Sequence, residues 1–342
     1  MQYLKKSFEG MEPYFSKEIT DGIVLNANEA PYLPPKPILE EFNNRIKCLN
    51  FNRYPDMQNT KLCEAIAKKY QISKENVTCG VGSDELLEVT FRATLEPNDV
   101  VLSFSPSFSM YKVFTELHNA KFIGIDFNDD LSFDVDAMLK KIKENNPKLV
   151  LICSPNNPTG AILTQSEIIR IVTNTNALVL LDLAYVDFAK EDPTYLALKY
   201  NNLIAYKTFS KAMALASIRC GYAISNSNNI DMINAVKAPY SLSIPSQILA
   251  ELAISNYDLY KENINNVISE RDNLYNNLKK LGINAYPSEA NFIYVKMDKK
   301  IYDGLLENKI YIRAFTDEIY RITVGLKEEN EKLLKVVRKY AK

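Results

Sequence analysis

A five-residue stretch in the middle of the chain reads Leu178-Val179-Leu180-Leu181-Asp182. Its first four residues are apolar in succession, without the polar alternation of a strand that has one face in water. The run Leu149-Val150-Leu151-Ile152 has the same character. Strands that are apolar on both faces are typical of parallel sheets covered by helices on both sides. The two runs therefore predict the central strands of an α/β fold.

Helical and strand-like segments alternate on both sides of these runs. This alternation predicts a mostly parallel, doubly wound central sheet. The predicted segments are helices over 58–70, 107–118, 134–144 and 165–173, and strands over 99–104, 121–126, 148–153, 177–182 and 202–207.

The two ends of the chain differ from this middle part. Five prolines lie within the first 37 residues, and proline is excluded from helix interiors and central strands. A long amphipathic stretch, 246–281, precedes a strand, a helix, two further strands and a final helix over 327–340. We predict an N-terminal arm that runs over the surface (1–35), a large domain (36–245) and a smaller α+β C-terminal domain (246–342).

Composition excludes several classes of function. The 342 residues are 46% hydrophobic and 24% charged, which is typical of a globular protein with two domains. The 41 basic and 42 acidic side chains are mixed along the chain and give a net charge of −1, so no nucleic-acid partner is expected. No apolar run approaches the ~18 residues of a membrane span, and the start lacks a signal-peptide pattern. We expect no membrane partner and a cytoplasmic location.

Cysteine and histidine usage argues against disulfides and metals. Five cysteines occur without a C-x-x-C pair or a histidine nearby. The single histidine, His118, lies where a predicted helix ends, a position that complements the helix dipole. No metal site is expected.

Two residues suit an aldehyde cofactor. Lys211, in Thr208-Phe209-Ser210-Lys211, can form a Schiff base with an aldehyde when its amine is deprotonated. Asp182 ends its strand at the carboxyl edge, where open α/β sheets bind ligands. Pyridoxal phosphate uses such a lysine together with an acidic partner for its pyridine nitrogen. Taken singly, a Ser-Lys pair is most often a surface turn, and an aspartate at a strand end is most often a cap.

Further segments, in their order and spacing, resemble the fold-type I aminotransferases, and within them the histidinol-phosphate aminotransferase group. The resemblance covers nearly the whole chain. It is carried by residues 25–29, 53–56, 80–85, 106–111, 154–160, 182–185, 208–222 and 320–325. The fold that it implies is the fold-type I fold of pyridoxal-phosphate-dependent transferases.

The resemblance implies roles for the residues around the cofactor ring. Lys211 corresponds to the lysine that carries pyridoxal 5′-phosphate as a Schiff base, and Asp182 to the partner of its pyridine nitrogen. Tyr185 and Asn157 correspond to the residues that donate to the phenolic oxygen. Phe108 corresponds to the aromatic residue that stacks on the ring. Lys211, Asp182 and Tyr185 are the expected catalytic residues.

The cofactor phosphate needs several donors. Ser83 and Asp84 follow two glycines at a predicted helix start, where backbone N–H groups and the helix dipole favour an anion. By resemblance, Ser210 and Arg219 are further phosphate ligands. Tyr54 resembles the tyrosine that reaches the phosphate of the neighbouring subunit. This implies a homodimer with shared active sites.

The substrate is expected to be anionic. By resemblance, Arg321 binds the α-carboxylate of an amino acid and Arg313 a second anionic group, with Tyr14 and Asn28 as helpers. The expected reaction moves an amino group between an amino acid, with glutamate as the expected donor, and a small phosphorylated carbonyl or amine compound. The sequence departs from the family at Leu33 and in 212–217, where glycines are usual. A substrate smaller than histidinol phosphate, such as dihydroxyacetone phosphate or serinol phosphate, is therefore the alternative.

Two other functions stay open at this point. A decarboxylase of a phosphorylated amino acid uses nearly the same residues, because the cofactor stabilises a Cα carbanion whichever bond breaks. A cofactor-binding regulatory protein without activity is the second. Leu183 stands where the family usually has an acid, on the side of the strand that should face away from the ring.

Overall fold

A computed structural model of the chain describes Tyr3, Lys5, Phe8 and residues 19–341. The larger of its two sheets has seven strands in the order β2-β8-β7-β6-β5-β3-β4. Their bounds are β2 Val77–Gly80, β3 Val100–Ser105, β4 Lys121–Asp126, β5 Leu149–Cys153, β6 Leu178–Asp182, β7 Leu203–Thr208 and β8 Gly221–Ile224. β8 runs antiparallel to both of its neighbours, and the other pairs of the sheet are parallel. The predicted doubly wound α/β fold is confirmed, with β5 and β6 central.

Helices cover both faces of this sheet because its strands are apolar on both sides. Leu149 and Leu151 pack in the core beneath α3 and α4, whereas Val150 and Ile152 pack beneath α5 and α6. The helices of this part of the chain are α1 Lys36–Ile46, α2 Thr60–Tyr70, α3 Gly82–Thr94, α4 Met110–Leu117, α5 Val135–Asn145, α6 Gln165–Val172, α7 Leu196–Lys199, α8 Ser227–Val236 and α9 Ile244–Ser255. The segments predicted between 58 and 207 occur as predicted, with ends displaced by up to three residues.

A second sheet has five strands in the order β1-β11-β12-β10-β9. Its strands are β1 Ile23–Leu25, β9 Asn284–Ala285, β10 Phe292–Lys296, β11 Ile310–Ala314 and β12 Ile319–Thr323. Three helices accompany it: α10 Lys261–Lys280, α11 Lys299–Glu307 and α12 Lys327–Tyr340. They enclose a separate core with the inward side chains of β10, β11 and β12. The final helix has the bounds predicted from the sequence.

The expectation that the N-terminal arm runs over the surface is wrong for residues 23–28. β1 pairs in parallel with β11 at the edge of the smaller sheet. Leu25 is buried in the core of that sheet, and Asn28 is also buried. Residues 23–28 contain no proline, so the prolines of the arm do not prevent this segment from pairing as a strand or from burying side chains.

The long amphipathic stretch 246–281 is two helices. α9 ends at Ser255, a short 3₁₀ turn follows, and α10 begins at Lys261. The Asn256 amide side chain donates back to the carbonyl of Leu252 and helps to end α9. The two helices then take different neighbours: α9 packs on α1 and α2, whereas α10 packs on α12 and beside β9. No proline or glycine marks this break in the sequence.

The turn after β7 holds a strained residue. Ala214 has a φ of 54°, in the left-handed region that a Cβ disfavours, and its N–H donates to the carbonyl of Lys211 at 3.1 Å. Left-handed conformations cost L-residues about 1–2 kcal/mol.

We therefore expect Ala214→Gly to stabilise the protein by about 0.5–1 kcal/mol, because relief of this strain exceeds the greater entropy of glycine in the unfolded chain. Chemical denaturation at equilibrium measures the change. As a control, Ala212→Gly lies in the same turn at a residue without positive φ and should not stabilise. A loss of stability in Ala214→Gly would contradict the assignment of strain.

Candidate active site

A cavity of about 270 Å³ opens at the carboxyl ends of β5, β6 and β7, beside the start of α3. This is the edge at which open α/β sheets bind ligands. Most of the predicted cofactor residues meet there. The lining residues are Ala27, Glu29, Ser83, Asp84, Phe108, Cys153, Asn157, Asp182, Ala184, Tyr185, Thr208, Ser210, Lys211, Ala216 and Arg219.

Lys211 extends into this cavity from the turn after β7. Its Nζ donates to the carbonyl of Ala27 at 3.1 Å and lies 5.8 Å from the centre of the Tyr185 ring. Desolvation, followed by the nearby Arg321 guanidinium, lowers the pKa of Lys211 to about 8. A lysine in this state supplies a neutral amine at a mildly alkaline pH, as attack on an aldehyde requires.

Asp182 faces the same cavity and is 5% exposed. Its Oδ2 accepts from the Tyr111 hydroxyl at 2.7 Å, and its Oδ1 accepts from the Ala184 N–H at 3.1 Å. Burial raises the pKa of Asp182 to about 6, although both hydrogen bonds oppose this shift. A cation placed beside this carboxylate would remove the cost of its burial.

Tyr185 and Asn157 line the cavity from the loops that follow β6 and β5. The Asn28 amide donates to the Tyr185 hydroxyl at 3.0 Å. The side-chain oxygen of Asn157 accepts from the Arg321 guanidinium. The N-terminal segment and β12 thus hold the two residues that were predicted to donate to the phenolic oxygen.

An anion cradle forms at the start of α3. Gly82 has a φ of +79°, and the chain of β8 passes so close that a Cβ on Gly221 would lie 2.3 Å from the backbone nitrogen of Ser83. The Arg219 guanidinium lies 3.5 Å from Asp84 and 3.4 Å from the Ser210 hydroxyl. Backbone N–H groups at a helix start, a hydroxyl and a guanidinium together suit a phosphate.

Arg219 itself adopts a φ of 50°. Strained backbone of this kind persists where the surrounding structure requires the side chain at that place. Lys211, Asp182 and the cradle therefore fit the three parts of pyridoxal phosphate: aldehyde, pyridine nitrogen and phosphate.

The two predicted substrate arginines lie side by side on the smaller sheet. Arg313 and Arg321 are partners in the register of β11 and β12. Arg321 is buried and also donates to the carbonyl of Asn26 at 2.8 Å, whereas Arg313 is exposed. The ring centre of Phe315 lies 5.9 Å from the Arg321 guanidinium carbon and 6.0 Å from that of Arg313.

Some predicted residues are not at the cavity. Tyr54 is 80% exposed and stacks on Tyr240, with ring centres 4.7 Å apart. Asn28 is buried between Tyr185 and β12, where its N–H donates to the Thr323 hydroxyl. Tyr14 lies outside the described residues.

Sequence reasoning missed several residues of the site. Tyr111 is buried, and its hydroxyl donates to Asp182. Asn156 bonds the Ser107 hydroxyl and the carbonyl of Pro106, and so fixes the loop that carries Phe108. The spacing of Tyr111 one turn after Phe108 was the available signal. Leu183 packs in the core away from the cavity, as expected.

Among residues 19–341 and the three described residues before them, no group of three acidic, cysteine or histidine side chains is arranged to hold a metal ion. Within the same part of the chain, no helix is long and apolar enough to cross a membrane.

A reactive lysine, a buried carboxylate and a phosphate cradle at the carboxyl edge of a doubly wound sheet define a fold-type I pyridoxal-phosphate enzyme. The chain belongs to the aminotransferase class I and II family, whose sequence model matches residues 20–337. The expected enzyme class and the cofactor, pyridoxal 5′-phosphate, are thereby confirmed.

Relatives of this chain include histidinol-phosphate aminotransferases. The chain is 37% identical to histidinol-phosphate aminotransferase 1 of Carboxydothermus hydrogenoformans over 340 residues, which cover 98% of this chain and 97% of the relative. It is 35% identical to the histidinol-phosphate aminotransferase of a Thermoanaerobacter species over 339 residues, 97% of this chain and 96% of the relative.

Solved structures show the same fold. Histidinol-phosphate aminotransferase from Sinorhizobium meliloti, in complex with pyridoxal-5′-phosphate, superposes with a TM-score of 0.91 at 22% identity, over 100% of this chain and 98% of that one. An aspartate aminotransferase variant from Thermus thermophilus superposes with a TM-score of 0.85 at 20% identity, over 99% and 100% of the two chains.

The raised pKa of Asp182 predicts a pH effect on stability. In the cofactor-free protein the folded state binds this proton more tightly than the unfolded state, so stability is lost as pH rises from about 4 to about 6. Between these pH values the free energy of unfolding of the wild type should fall, relative to that of Asp182→Asn, by about 3 kcal/mol at most, since one pKa unit corresponds to ~1.4 kcal/mol. Denaturation of both proteins at a series of pH values measures this difference. If the stabilities of the two proteins changed in parallel with pH, burial would not raise the pKa of Asp182.

Proposed function

We propose that the enzyme transfers the amino group of an amino acid, with glutamate as donor, to the phosphorylated ketone that corresponds to histidinol phosphate, so that glutamate becomes its 2-oxo acid and the ketone becomes histidinol phosphate. The observation that carries the proposal is the pair of arginines that are register partners on β11 and β12, one of which, Arg321, donates to Asn157 in the lining of the cavity. Two separate guanidinium groups allow two anionic groups to be bound, a carboxylate and a phosphate. The two relatives with this name, at 37% and 35% identity over nearly the full chain, support the same substrate.

Each residue has a role in this proposal. When bound, pyridoxal phosphate supplies an electron sink for negative charge at the substrate Cα. Lys211 would hold the cofactor, and its free amine would accept and return the proton at the substrate Cα. Asp182 keeps the pyridine nitrogen protonated, and Tyr185 and Asn157 donate to the phenolic oxygen. Phe108 covers the ring.

The phosphate of the cofactor is bound by the α3 start and its neighbours. Ser83 and Asp84 offer backbone N–H groups, Ser210 its hydroxyl and Arg219 its guanidinium. Tyr14 remains a proposed substrate helper. Asn28 acts indirectly in this proposal, since it bonds Tyr185 and β12.

The argument for a substrate smaller than histidinol phosphate was that this chain lacks the family's glycines at Leu33 and in 212–217. Leu33, where the family has glycine, is 80% exposed and is absent from the cavity lining. In the other departing stretch, 212–217, Ala216 is the residue that reaches the lining. One small side chain at the cavity does little to narrow it, so histidinol phosphate is favoured. The comparisons give no support to the decarboxylase or to a protein without activity.

Substitution of the two arginines should affect the two half-reactions differently. Arg321→Ala should reduce the specificity constant in both, whereas Arg313→Ala should chiefly reduce it for histidinol phosphate. Each loss should be roughly 10- to 150-fold, as expected for a charge-assisted contact of about 1.5–3 kcal/mol. Single-turnover absorbance changes with glutamate, histidinol phosphate and histidinol measure the three rates.

Lys296→Ala is the matched control, because it removes an exposed cation of the same sheet that pairs with Glu318. Equal wild-type rates on histidinol phosphate and histidinol would refute phosphate recognition. Release of carbon dioxide from an amino acid phosphate would replace the proposal by the decarboxylase.

We also propose a homodimer with shared sites, in which Tyr54 serves the partner's cofactor phosphate. Tyr54 does not line the cavity of its own chain and is strongly exposed. Phe51 and Met57, nearby in the sequence, are exposed as well. An exposed apolar patch is typical of an interaction site. The cytoplasmic location stays a prediction.

Subunit exchange tests the shared site. Tyr54→Phe and Lys211→Ala dimers should each be impaired, and a mixture should recover one intact site per heterodimer. Activity after exchange, compared with the unmixed proteins, measures the recovery. Mixing wild type with the double variant is the control, since that heterodimer contains no intact site. Full activity of Tyr54→Phe, or no recovery on exchange, would refute the shared site.

A further inference from the structure

A second charged cluster lies on the other face of β7 from Thr208. Lys207 is 2% exposed, and its Nζ lies 2.8 Å from Asp192 Oδ2 and 3.8 Å from Asp187 Oδ1. Burial by itself lowers the pKa of Lys207, but Asp187 and the other groups around it raise the pKa well above its ordinary value. Lys207 is therefore a buried cation with two carboxylate partners.

Both carboxylates belong to the segment that follows Tyr185, and this segment has two further contacts. The Tyr257 hydroxyl donates to Asp187 at 2.7 Å. The buried Arg271 of α10 donates to the carbonyl of Phe188 at 3.2 Å. Residues 185–192 thus contact β7 through Lys207, the 3₁₀ turn before α10 through Tyr257, and α10 through Arg271.

Stability alone is a weak reason for such a cluster, because well-packed apolar side chains of similar volume are often as stable as a buried ion pair. Its position suggests another reason. The cation lies four residues before Lys211, and the nearer carboxylate in sequence, Asp187, lies two residues after Tyr185. The ion pairs therefore connect the backbone that carries the reactive lysine with the backbone that carries the tyrosine.

We propose that Lys207 is a positioning residue for Tyr185: by pairing with Asp187 and Asp192 it holds residues 185–192 on β7, so that the Tyr185 hydroxyl stays in the cavity. This inference rests on the proposed contact of Tyr185 with the phenolic oxygen of the cofactor. Lys207 touches neither cofactor nor substrate and acts through the backbone of the segment.

The test compares Lys207→Met, Tyr185→Phe and the double variant, each loaded with cofactor. The readouts are the pH midpoint of the bound cofactor's absorbance change and kcat/KM. Lys207→Met should move the midpoint in the same direction as Tyr185→Phe and lower kcat/KM about tenfold, the effect of one hydrogen bond to a charged group. The double variant should resemble Tyr185→Phe, because residues that act through one contact are not additive. An unmoved midpoint in Lys207→Met, or fully additive effects, would overturn the inference.

Further variants separate positioning from folding. Lys207→Arg keeps the cation and should restore the wild-type midpoint. If Lys207→Met does not fold, Asp192→Asn removes one partner at a side chain that is 39% exposed, and should move the midpoint in the same direction. Thr90→Val is the matched control: it deletes a buried hydroxyl that bonds Tyr206, the residue of β7 next to Lys207, outside the segment. It should leave the midpoint unchanged, and an equal shift would overturn the inference.

The two proposals fail in different ways. If Tyr185→Phe leaves the midpoint unchanged, the cofactor contact of Tyr185 is refuted and the role of Lys207 falls with it. If Tyr185→Phe moves the midpoint and Lys207→Met does not, the cofactor contact stands and the positioning role alone is refuted.

Discussion

The burial of both faces of β5, β6 and β7 is the constraint on which the rest of the site depends. Strands that pack between two layers of helices cannot carry unpaired polar groups along their length. Polar side chains that bind ligands are therefore placed where the strands end. Asp182 ends β6, Asn157 follows β5, and Lys211 follows β7. The apolar strands thereby bring three distant parts of the sequence to one cavity.

Burial also sets the ionisation of the site. It lowers the pKa of Lys211 to about 8 and raises that of Asp182 to about 6, so both groups shift towards their neutral forms. The cavity without a ligand consequently stores an electrostatic cost. A group that brings a pyridinium beside Asp182 and a carbonyl beside Lys211 relieves it. The strained backbone of Arg219 is a second cost at the same site.

Hydrogen bonds between the two units of the molecule connect the residues proposed to bind the cofactor with those proposed to bind the substrate. Arg321 of the smaller sheet donates to Asn157 of the larger unit and to the carbonyl of Asn26. Asn28 bonds both Thr323 and Tyr185. A displacement of the smaller unit would therefore move Tyr185 and Asn157, the residues proposed to donate to the phenolic oxygen. Lys207 of β7 and Arg271 of α10 both contact the segment after Tyr185, which therefore lies at the same junction.

The resemblance to the aminotransferases supplied most of the expected residues of the cofactor site, whereas local patterns in the sequence determined the strands and helices of the larger sheet and the final helix. They could do so because hydrophobic period, strand-end aspartates and glycine-rich turns are properties of neighbouring residues. The tertiary structure alone decided which distant residues meet. Tyr111 holds Asp182 from 71 residues away, and Asn28 is buried against Thr323, 295 residues away. It also decided that 246–281 divides at Asn256, because α9 and α10 pack on different partners, and no local signal in the sequence encodes a choice between partners.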